Sequence, residues 1–572
     1  MIFFTDTKRY PISETRSTPA KDKLYDSTLW RWVSSIAILT GIALRLWQYI
    51  ANPSIWVDEA AIARNIINRQ PHQLFHALDY AQVAPPGFLL SIKLSTMLLG
   101  PSEYALRLTP IAAGIASVIL FFFVARAILR PVASIVATFM FSIAIPLVFF
   151  SSNLKQYSSD VAITLLVIII AIRLCTLTLT SRGAYTFALI PTLLLFCSQA
   201  AVFPMTIAGA TLFFDAIASQ RPDNRYRFAV ITSWAIAVIA IVAYSSISLN
   251  PVSEVYLFRF WKYAFMPSQG WDTWLWATTK NALSGEANPN VLNGSLGYAQ
   301  PELFAAFVVL GSIALLIKHP KNAVLIVGPI LLALLASALF LYPFGNRMII
   351  FLLPLLLLLI VAGADYLGQV LIRNWTNEYL AVLLLPFAIA AFLQQSWPRT
   401  PEHLRPVMQY VSKHWEQGDA LWVYYGAGQA FEYYKELIPI SPDTLIGTCN
   451  RADPRDYLHQ VDVERGRARV WILMAHGPGP FGFDERKLII SYLDTIGLRT
   501  DEYHAPGEDK SSNHAAVYLF DLSIQEKLAA SSAQLFPIDN NYPPKTWTCY
   551  GTMSPQGASE KIVRAVMDWD QP

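Results

Sequence analysis

Long apolar runs recur through the first two thirds of this chain, and they constrain its fold more than any other feature. A helix that crosses a membrane needs about 20 mostly apolar residues. About eleven stretches meet this rule: residues 29–50, 104–127, 132–150, 160–176, 184–198, 200–218, 228–249, 303–317, 322–342, 348–366 and 379–395. The sequence therefore predicts a polytopic α-helical membrane protein, with its multi-span domain in residues 29–395.

The overall composition agrees with a membrane protein and excludes two other classes. Hydrophobic residues make up 54% of the chain and charged residues only 15%, whereas a typical soluble domain is about 25% charged. The formal net charge is only +3, and no basic run is long enough to follow a nucleic-acid backbone. We therefore expect neither a soluble enzyme nor a nucleic-acid-binding protein.

Basic residues between the apolar runs predict how the chain is oriented, because cytoplasmic loops retain arginine and lysine. The N-terminal tail, residues 1–28, is polar and basic, and we place it in the cytoplasm ahead of a retained signal anchor. Strict alternation then puts these residues on the same side: Arg126, Arg130, Arg173, Arg182, Arg221, Arg225, Arg227, Lys318, Lys321 and Arg373. This agreement requires residues 85–100 to form a short interfacial helix. The predicted location is the inner (plasma) membrane.

The regions on the outer side are then the loop 51–103, the connection 151–159, the loop 250–302, the turn 343–347 and the C-terminal part, residues 396–572. The C-terminal part alternates strand-like runs, ALWVYY, RVWILMA and AAVYLFDL, with helix-like stretches at 403–415 and 485–496. This alternation predicts a small extracytoplasmic α/β domain.

Two of the four cysteines, Cys449 and Cys549, fall in the predicted outer domain. An oxidising compartment would allow them to form a disulfide. The sequence does not give the Cα separation that such a bond requires, so the pairing stays open.

Two adjacent carboxylates, Asp58 and Glu59, follow the first apolar run. Carboxylates at a membrane boundary are costly to desolvate, so they need water or a function. One interpretation is that Asp58 caps the helix AAIARNIINR. The other makes Asp58 a general base or a carboxylate that orients an acceptor. On a helix Glu59 points about 100° away, so we rank it behind Asp58 as a catalytic residue.

Several cations and aromatic residues share the predicted outer face with the carboxylates. Arg64, His72 and His76 continue the first loop, and Lys155 and Tyr157 lie at the outer end of the third apolar run. Lys155 either snorkels to water or binds a phosphate together with the Tyr157 hydroxyl.

Arg347 lies between two apolar runs on the outer face, where arginine is disfavoured. Its partner is predicted to be either a donor phosphate or an internal carboxylate, Asp58 or Glu59. Arg107 lies four residues after Glu103, a spacing typical of a helical ion pair. In the loop 250–302, Trp271 and Trp274 are interpreted as membrane anchors or as part of a mobile cover over a substrate.

Five motifs in order resemble the GT-C fold glycosyltransferases. They are WVDEA, APPGFLL, GPSEYALRLTPIAAG, ARAILRP and PLVFFSSNLKQYSSD, within about residues 29–365. The similarity is to the branch of protein O-mannosyltransferases, bacterial aminoarabinose transferases and lipopolysaccharide sugar transferases. In that family an acidic residue lies beside the first span, and a later outer turn contacts the donor phosphate. The family's PPL is PPG here, which predicts a looser start of the interfacial helix.

The resemblance implies transfer of a sugar from a polyprenyl-phosphate donor to a lipid, glycan or protein acceptor in the cell envelope. We expect an inverting reaction, with Lys155, Arg347 and Arg64 stabilising the leaving phosphate. We expect no cofactor, with a divalent cation held by the acidic pair as the alternative. Two other functions stay open: a transporter or flippase of lipid-linked sugars, and a non-catalytic scaffold for polysaccharide synthesis.

Overall fold

The computed structural model describes residues 28–538, except 220, 285–293, 372–378, 396, 441–442, 477–483, 507–513, 531 and 535, and it also describes Cys549. The predicted N-terminal tail lies outside the described residues. The helices of the membrane part are α1 (Thr28–Ile50), α2 (Val57–Asn68), α3 (Pro86–Leu99), α4 (Glu103–Ile128), α5 (Pro131–Ile143), α6 (Ile145–Phe149), α7 (Tyr157–Thr176), α8 (Ser181–Leu195), α9 (Val202–Ser219), α10 (Asn224–Ile247), α11 (Pro251–Phe260), α12 (Trp271–Ser284), α13 (Pro301–Lys318), α14 (Pro320–Ala338), α15 (Leu353–Leu371) and α16 (Leu385–Leu393).

Eight helices of the described chain are long and apolar enough to cross a membrane, and a ninth span results when α5 and α6 are taken together. This pair is bent by 58° at Ala144. Two of the predicted spans are shorter than expected: α8 has 15 residues, and residues 380–393 form another short apolar helix. The prediction of a polytopic helical membrane protein is confirmed, with fewer full-length spans than the apolar runs indicated.

The predicted interfacial helix is α3, which has 14 residues. At 1.5 Å per residue it extends about 21 Å, which is short of the roughly 30 Å hydrocarbon core. Its Lys93 ammonium donates hydrogen bonds to the carbonyls of Ile66 and Ile67 at 2.8 and 3.2 Å. The lysine therefore satisfies the C-terminal end of α2.

The start of α3 is tight, and the expectation of a looser start at PPG is wrong. The Gly87 amide donates to the Phe196 carbonyl at 2.9 Å. An added Cβ at Gly87 would lie 2.8 Å from the Phe196 oxygen and 2.9 Å from the Cys197 Sγ. Glycine is needed here because another backbone segment approaches too closely for a side chain.

The closest helix packing joins α13 and α15. A Cβ added at Gly311 would overlap the Leu359 carbonyl oxygen, and one added at Gly363 would overlap that of Phe307. Small residues that let two backbones touch are the usual way in which membrane helices associate.

The basic segments that the sequence assigned to one side meet at one end of the helices. There the Arg130 Nε donates to Asp365 at 2.8 Å. Arg227 and Lys321 both pair with the buried Asp215. The opposite end of the helices carries α2, α3 and the C-terminal domain.

The C-terminal domain contains a five-stranded sheet. Its elements are α17 (Leu404–His414), β1 (Ala420–Val423), α18 (Gly428–Tyr434), β2 (Thr444–Ile446), α19 (Arg455–Asp462), β3 (Val470–Met474), α20 (Glu485–Ile496), β4 (Leu498–His504), β5 (Ala516–Asp521) and α21 (Gln525–Ala530). The strand order is β2-β1-β3-β5-β4. The first three strands are parallel, and β5 is antiparallel to both β3 and β4.

The three strand-like runs of the sequence form β1, β3 and β5, and the two predicted helices are α17 and α20. The strands β1 and β3 are buried on both faces, which explains why their residues are continuously apolar. The C-terminal domain packs against the loop 51–103, because Ile62 and Ile66 of α2 in that loop share one apolar core with Leu404 and Phe431.

Cys449 and Cys549 form a disulfide, with their Cα atoms 5.4 Å apart. This separation lies within the range that a disulfide allows. The bond connects the segment after β2 to a residue 100 positions later.

Candidate functional site

The N-terminus of α2 places Asp58 at the centre of the candidate site. The helix begins at Val57, and the residue before it, Trp56, has extended backbone and no capping side chain. Asp58 therefore lies in the first turn, and the interpretation of Asp58 as the helix cap is wrong. The carboxylate that accepts from this helix end is Glu402 of the C-terminal domain, whose Oε2 lies 3.2 Å from the Val57 amide nitrogen.

Asp58 forms an ion pair with Arg347, with 2.7 Å between Oδ2 and Nη1. The internal carboxylate that the sequence left open as the partner of Arg347 is thus Asp58. Burial raises the pKa of the Asp58 carboxyl, but the positive charges of Arg347, Lys155 and His476 outweigh burial and lower that pKa overall. Asp58 therefore remains an anion, and its carboxylate is a weaker proton acceptor than an isolated one.

Arg347 is held from three sides at the start of the last long span. Its guanidinium lies 5.5 Å from the ring centroid of Trp261, and it shares a hydrogen bond with the Tyr157 hydroxyl. Its Nε is buried and has no hydrogen-bond partner among the described residues. One guanidinium donor is therefore available to an additional acceptor.

Lys155 is almost fully buried beside this pair. Its ammonium donates to the Gln82 Oε1 at 2.7 Å. Within the described part of the chain it forms no ion pair within 4.0 Å. Burial lowers the pKa of Lys155 to about 8, although the charge of Asp58 opposes this change. A buried ammonium is costly unless an anion pairs with it.

Glu59 lies on the other side of α2 and is fully buried. Its two carboxylate oxygens accept from Arg107 at 2.9 and 2.5 Å, and Oε1 also accepts from the Leu154 amide at 2.6 Å. The expected helical pair of Arg107 with Glu103 is wrong, because Arg405 binds Glu103 instead. The geometry gives Glu59 a structural role, while its catalytic role stays a prediction.

The C-terminal domain adds charged residues above Asp58. His476 follows β3 and hydrogen-bonds to Glu402, with 2.7 Å between Nδ1 and Oε1. Arg451 follows β2 and pairs with Glu485 at 3.1 Å. The Tyr256 hydroxyl on α11 is also near, since burial and the charge of Asp58 both raise its pKa.

In the described part of the chain, several predicted site residues contact groups other than Asp58, Lys155 and Arg347. Arg64 turns toward the C-terminal domain, where it donates to Gln429 at 2.7 Å. His72 and His76 are exposed at the surface of the first loop. Trp271 is 53% exposed, and the Trp274 indole donates to the Tyr263 carbonyl at 2.9 Å. The roles predicted for these residues stay untested.

The structure thus brings together Asp58, Lys155, Tyr157 and Arg347, which the sequence placed on one face. Sequence reasoning missed Gln82, Tyr256, Glu402, Arg451 and His476. One signal was available for His476, which directly follows the predicted strand RVWILMA. Polar residues after the carboxyl ends of parallel strands often line a site. Glu402 had no comparable signal, because its contacts are 345 and 74 residues away in sequence.

The described residues contain no group of three or more His, Cys, Asp or Glu side chains that could hold a metal ion. Asp58 is engaged by Arg347, and Glu59 by Arg107. The acidic pair therefore does not present two open carboxylates to one cation, and the expectation of no cofactor, with a divalent cation as the alternative, stays a prediction.

No protein-family model matches this chain, and no curated protein matches it. Solved structures that are similar to it include the following three. The oligosaccharyltransferase AglB from Archaeoglobus fulgidus, in complex with an inhibitory peptide and a dolichol-phosphate, is 10% identical, with 90% of this chain and 75% of that chain covered and a TM-score of 0.45. ArnT from Cupriavidus metallidurans, bound to undecaprenyl phosphate, is 10% identical, with 88% and 99% covered and a TM-score of 0.46.

The third structure is the arabinofuranosyltransferase AftD from Mycobacteria. It is 13% identical, with 86% of this chain and 42% of that chain covered and a TM-score of 0.41. All three are GT-C fold glycosyltransferases, the group that the sequence motifs resemble. At these identities and TM-scores, the similarity carries no statement about the chemistry of this chain.

Proposed function

We propose that this protein transfers a sugar from a polyprenyl-phosphate donor to an acceptor at the outer face of the membrane. The observation that carries the proposal is the buried Lys155 ammonium, which lies beside the Asp58–Arg347 pair and forms no ion pair within 4.0 Å in the described part of the chain. Of these three side chains two are positively charged and one is negatively charged, so one positive charge is not compensated within the group. A donor phosphate would neutralise that charge.

The chemistry of the cluster fits a phosphate that leaves during transfer. Lys155 provides a point charge, and Arg347 provides a buried Nε–H that is not used within the described structure. Fixed cations stabilise the charge that grows on the phosphate as the bond to the sugar breaks. Asp58 is proposed to accept a hydrogen bond from the acceptor and so to orient it. The order of motifs that resembles GT-C enzymes supports the same reaction.

Two features support an outward orientation of this site. The Cys449–Cys549 disulfide belongs to an oxidising compartment. The basic segments around Arg130, Arg227 and Lys321 meet at the opposite end of the helices, where the positive-inside rule places the cytoplasm.

The test is transfer by the purified protein in detergent or nanodiscs. Undecaprenyl-phosphate-linked mannose, glucose, galactose and arabinose are supplied with an envelope extract as the acceptor source, and released undecaprenyl phosphate is measured. Lys155→Gln and Arg347→Gln are expected to lower kcat/KM about 10- to 150-fold, since a hydrogen bond to a charged group contributes about 1.5–3 kcal/mol.

The matched control is Lys262→Gln, which neutralises an exposed lysine of the 250–302 loop and is expected to keep the wild-type rate. Transfer in the presence of EDTA is expected to be unchanged. Movement of the intact donor across a bilayer, with no release of undecaprenyl phosphate from any donor, would instead identify a flippase. Release without dependence on Lys155 and Arg347 would refute this site.

A further inference from the structure

His476 and Glu402 form a pair that connects the C-terminal domain to the candidate site. The Glu402 side chain is only 5% exposed, and its two oxygens have different partners. Oε1 binds the His476 Nδ1 at 2.7 Å, and Oε2 accepts from the Val57 amide at 3.2 Å. One buried carboxylate therefore fixes the imidazole relative to the helix that carries Asp58.

The position and the backbone conformation of His476 place its ring at the edge of the sheet. His476 follows the carboxyl end of β3, at the same sheet edge where Tyr425 follows β1 and Arg451 follows β2. Its φ angle is +57°, a left-handed conformation that a side-chain-bearing residue rarely adopts. Such conformations are held by the surrounding structure and occur preferentially at functional sites.

The hydrogen bond to Glu402 also determines which nitrogen of the His476 ring can accept a proton. A carboxylate only accepts hydrogen bonds, so Nδ1 carries the proton and Nε2 of the neutral ring has the free lone pair. The side chain is 41% exposed, so the imidazole is not sealed inside the protein. Nε2 can therefore meet a molecule that enters between the two domains.

Among the described residues, three charged groups face His476 from the elements packed against it. They are Glu402 ahead of α17, Asp58 on α2 and Arg451 after β2. Burial and Arg451 lower the pKa of His476, but Glu402 and Asp58 raise it more, so that its pKa lies above the ordinary value overall. Lys155 and Arg347 lie beyond Asp58. The raised pKa of His476 makes its imidazole a stronger base than an isolated one, whereas the lowered pKa of Asp58 makes that carboxylate a weak base.

We propose that His476 is the general base of the transfer, with Glu402 as the residue that positions it. This inference rests on the proposed function. As the acceptor hydroxyl attacks the anomeric carbon, its proton moves to Nε2 and the new carbon–oxygen bond forms. The bond from that carbon to the phosphate oxygen breaks, and the phosphate keeps the electron pair. Asp58 orients the hydroxyl and stays ionised throughout.

The deciding measurement is kcat/KM as a function of pH, with the undecaprenyl-phosphate sugar that the wild type uses. Wild-type kcat/KM is expected to fall tenfold per pH unit below the pKa of His476, which lies above about 6.5. His476→Asn, which the left-handed backbone accommodates, is expected to lose about 10²- to 10⁴-fold and to lack this limb. Glu402→Gln is expected to move the limb to lower pH.

Two further measurements distinguish a base from a structural residue. Free imidazole is expected to restore activity to His476→Gly, because glycine accepts the left-handed backbone and leaves space for the ring. The Kd for undecaprenyl phosphate is expected to be unchanged in His476→Asn, which also shows that the variant is folded. His459→Gln, an exposed histidine in the same domain, serves as the matched control and is expected to behave as wild type.

The results separate this inference from the proposed function. If the wild type transfers sugar while His476→Asn keeps its rate and its acidic limb, His476 is not the base and the proposed function stands. A rate that falls as pH rises through the same range would make His476 a binding cation and would also overturn the proposal. If the wild type releases no undecaprenyl phosphate from any donor, the proposed function fails and this inference fails with it.

Discussion

Replacing Glu59 with glutamine removes one charge from a buried pair while keeping the size of the side chain. In the native protein Arg107 donates to both oxygens of Glu59 and to the carbonyls of Pro53 and Ser54 at 2.6 and 3.3 Å. The glutamine oxygen can still accept from the Leu154 amide. What is lost is the compensation of the Arg107 charge, and the new NH2 group opposes the guanidinium donors.

The expected loss follows from the burial of both partners. The exposed fractions of the Arg107 and Glu59 side chains are 2% and 0%, so water cannot replace the missing carboxylate. Removing one partner of a buried pair costs about 3–5 kcal/mol. At about 1.4 kcal/mol per tenfold, this corresponds to about 10²- to 10⁴-fold in the folding equilibrium constant.

The purified protein is unfolded in dodecyl maltoside in two separate experiments, one by heating and one by titration with sodium dodecyl sulfate. Glu59→Gln is expected to unfold at clearly lower temperature and detergent fraction than wild type. Glu436→Gln, which changes an exposed glutamate of the C-terminal domain, is the control and is expected to match wild type. A loss below about 1 kcal/mol would refute the reasoning, because it would show that the Arg107 charge does not depend on Glu59.

Two other outcomes follow from the structure. Gly311→Val is expected to lower the unfolding temperature strongly, because the valine side chain would overlap the α15 backbone. The control is Gly209→Ala, where nothing lies within 4 Å of an added Cβ, and its unfolding temperature is expected to be unchanged or slightly raised. The affinity for undecaprenyl phosphate is expected to fall as pH rises through about 8, where Lys155 loses its proton. In Lys155→Arg it is expected to stay constant to pH 9.5, and titration calorimetry that shows equal declines in both proteins would contradict the role of Lys155.

Local patterns in the sequence were sufficient for most of the fold. The length of an apolar run predicts a membrane span because the thickness of the bilayer sets the length that a spanning helix needs. The runs ALWVYY, RVWILMA and AAVYLFDL are almost continuously apolar because they form the central strands, which are buried on both faces. The edge strand β4, LRTDEYH, has alternating exposure and five polar or charged residues, so it resembles a loop in sequence. The break at Ala144 had a signal in Pro146, which disfavours a continuous helix.

The sequence could predict which site residues lie on the same side of the membrane, because topology determines this. Alternation of spans puts Asp58, Lys155 and Arg347 at the same end of the helices, and these three are in fact neighbours. Pairing was not predictable, since Arg107 binds a carboxylate 48 residues away rather than the one four residues away. Glu103 instead pairs with Arg405 of the C-terminal domain, and such a choice of partner is a tertiary property.

The Cys449–Cys549 bond also sets an order of events during synthesis. At about 5–20 residues per second, the 100 residues that separate the two cysteines take about 5–20 s to be made. Throughout that interval Cys449 is a thiol without its native partner, and the segment that carries Arg451 lacks its covalent anchor. The helices that carry Asp58, Lys155 and Arg347 have already left the ribosome by then. The disulfide therefore closes only after the residues of the site, including Arg451 and His476, have been synthesised.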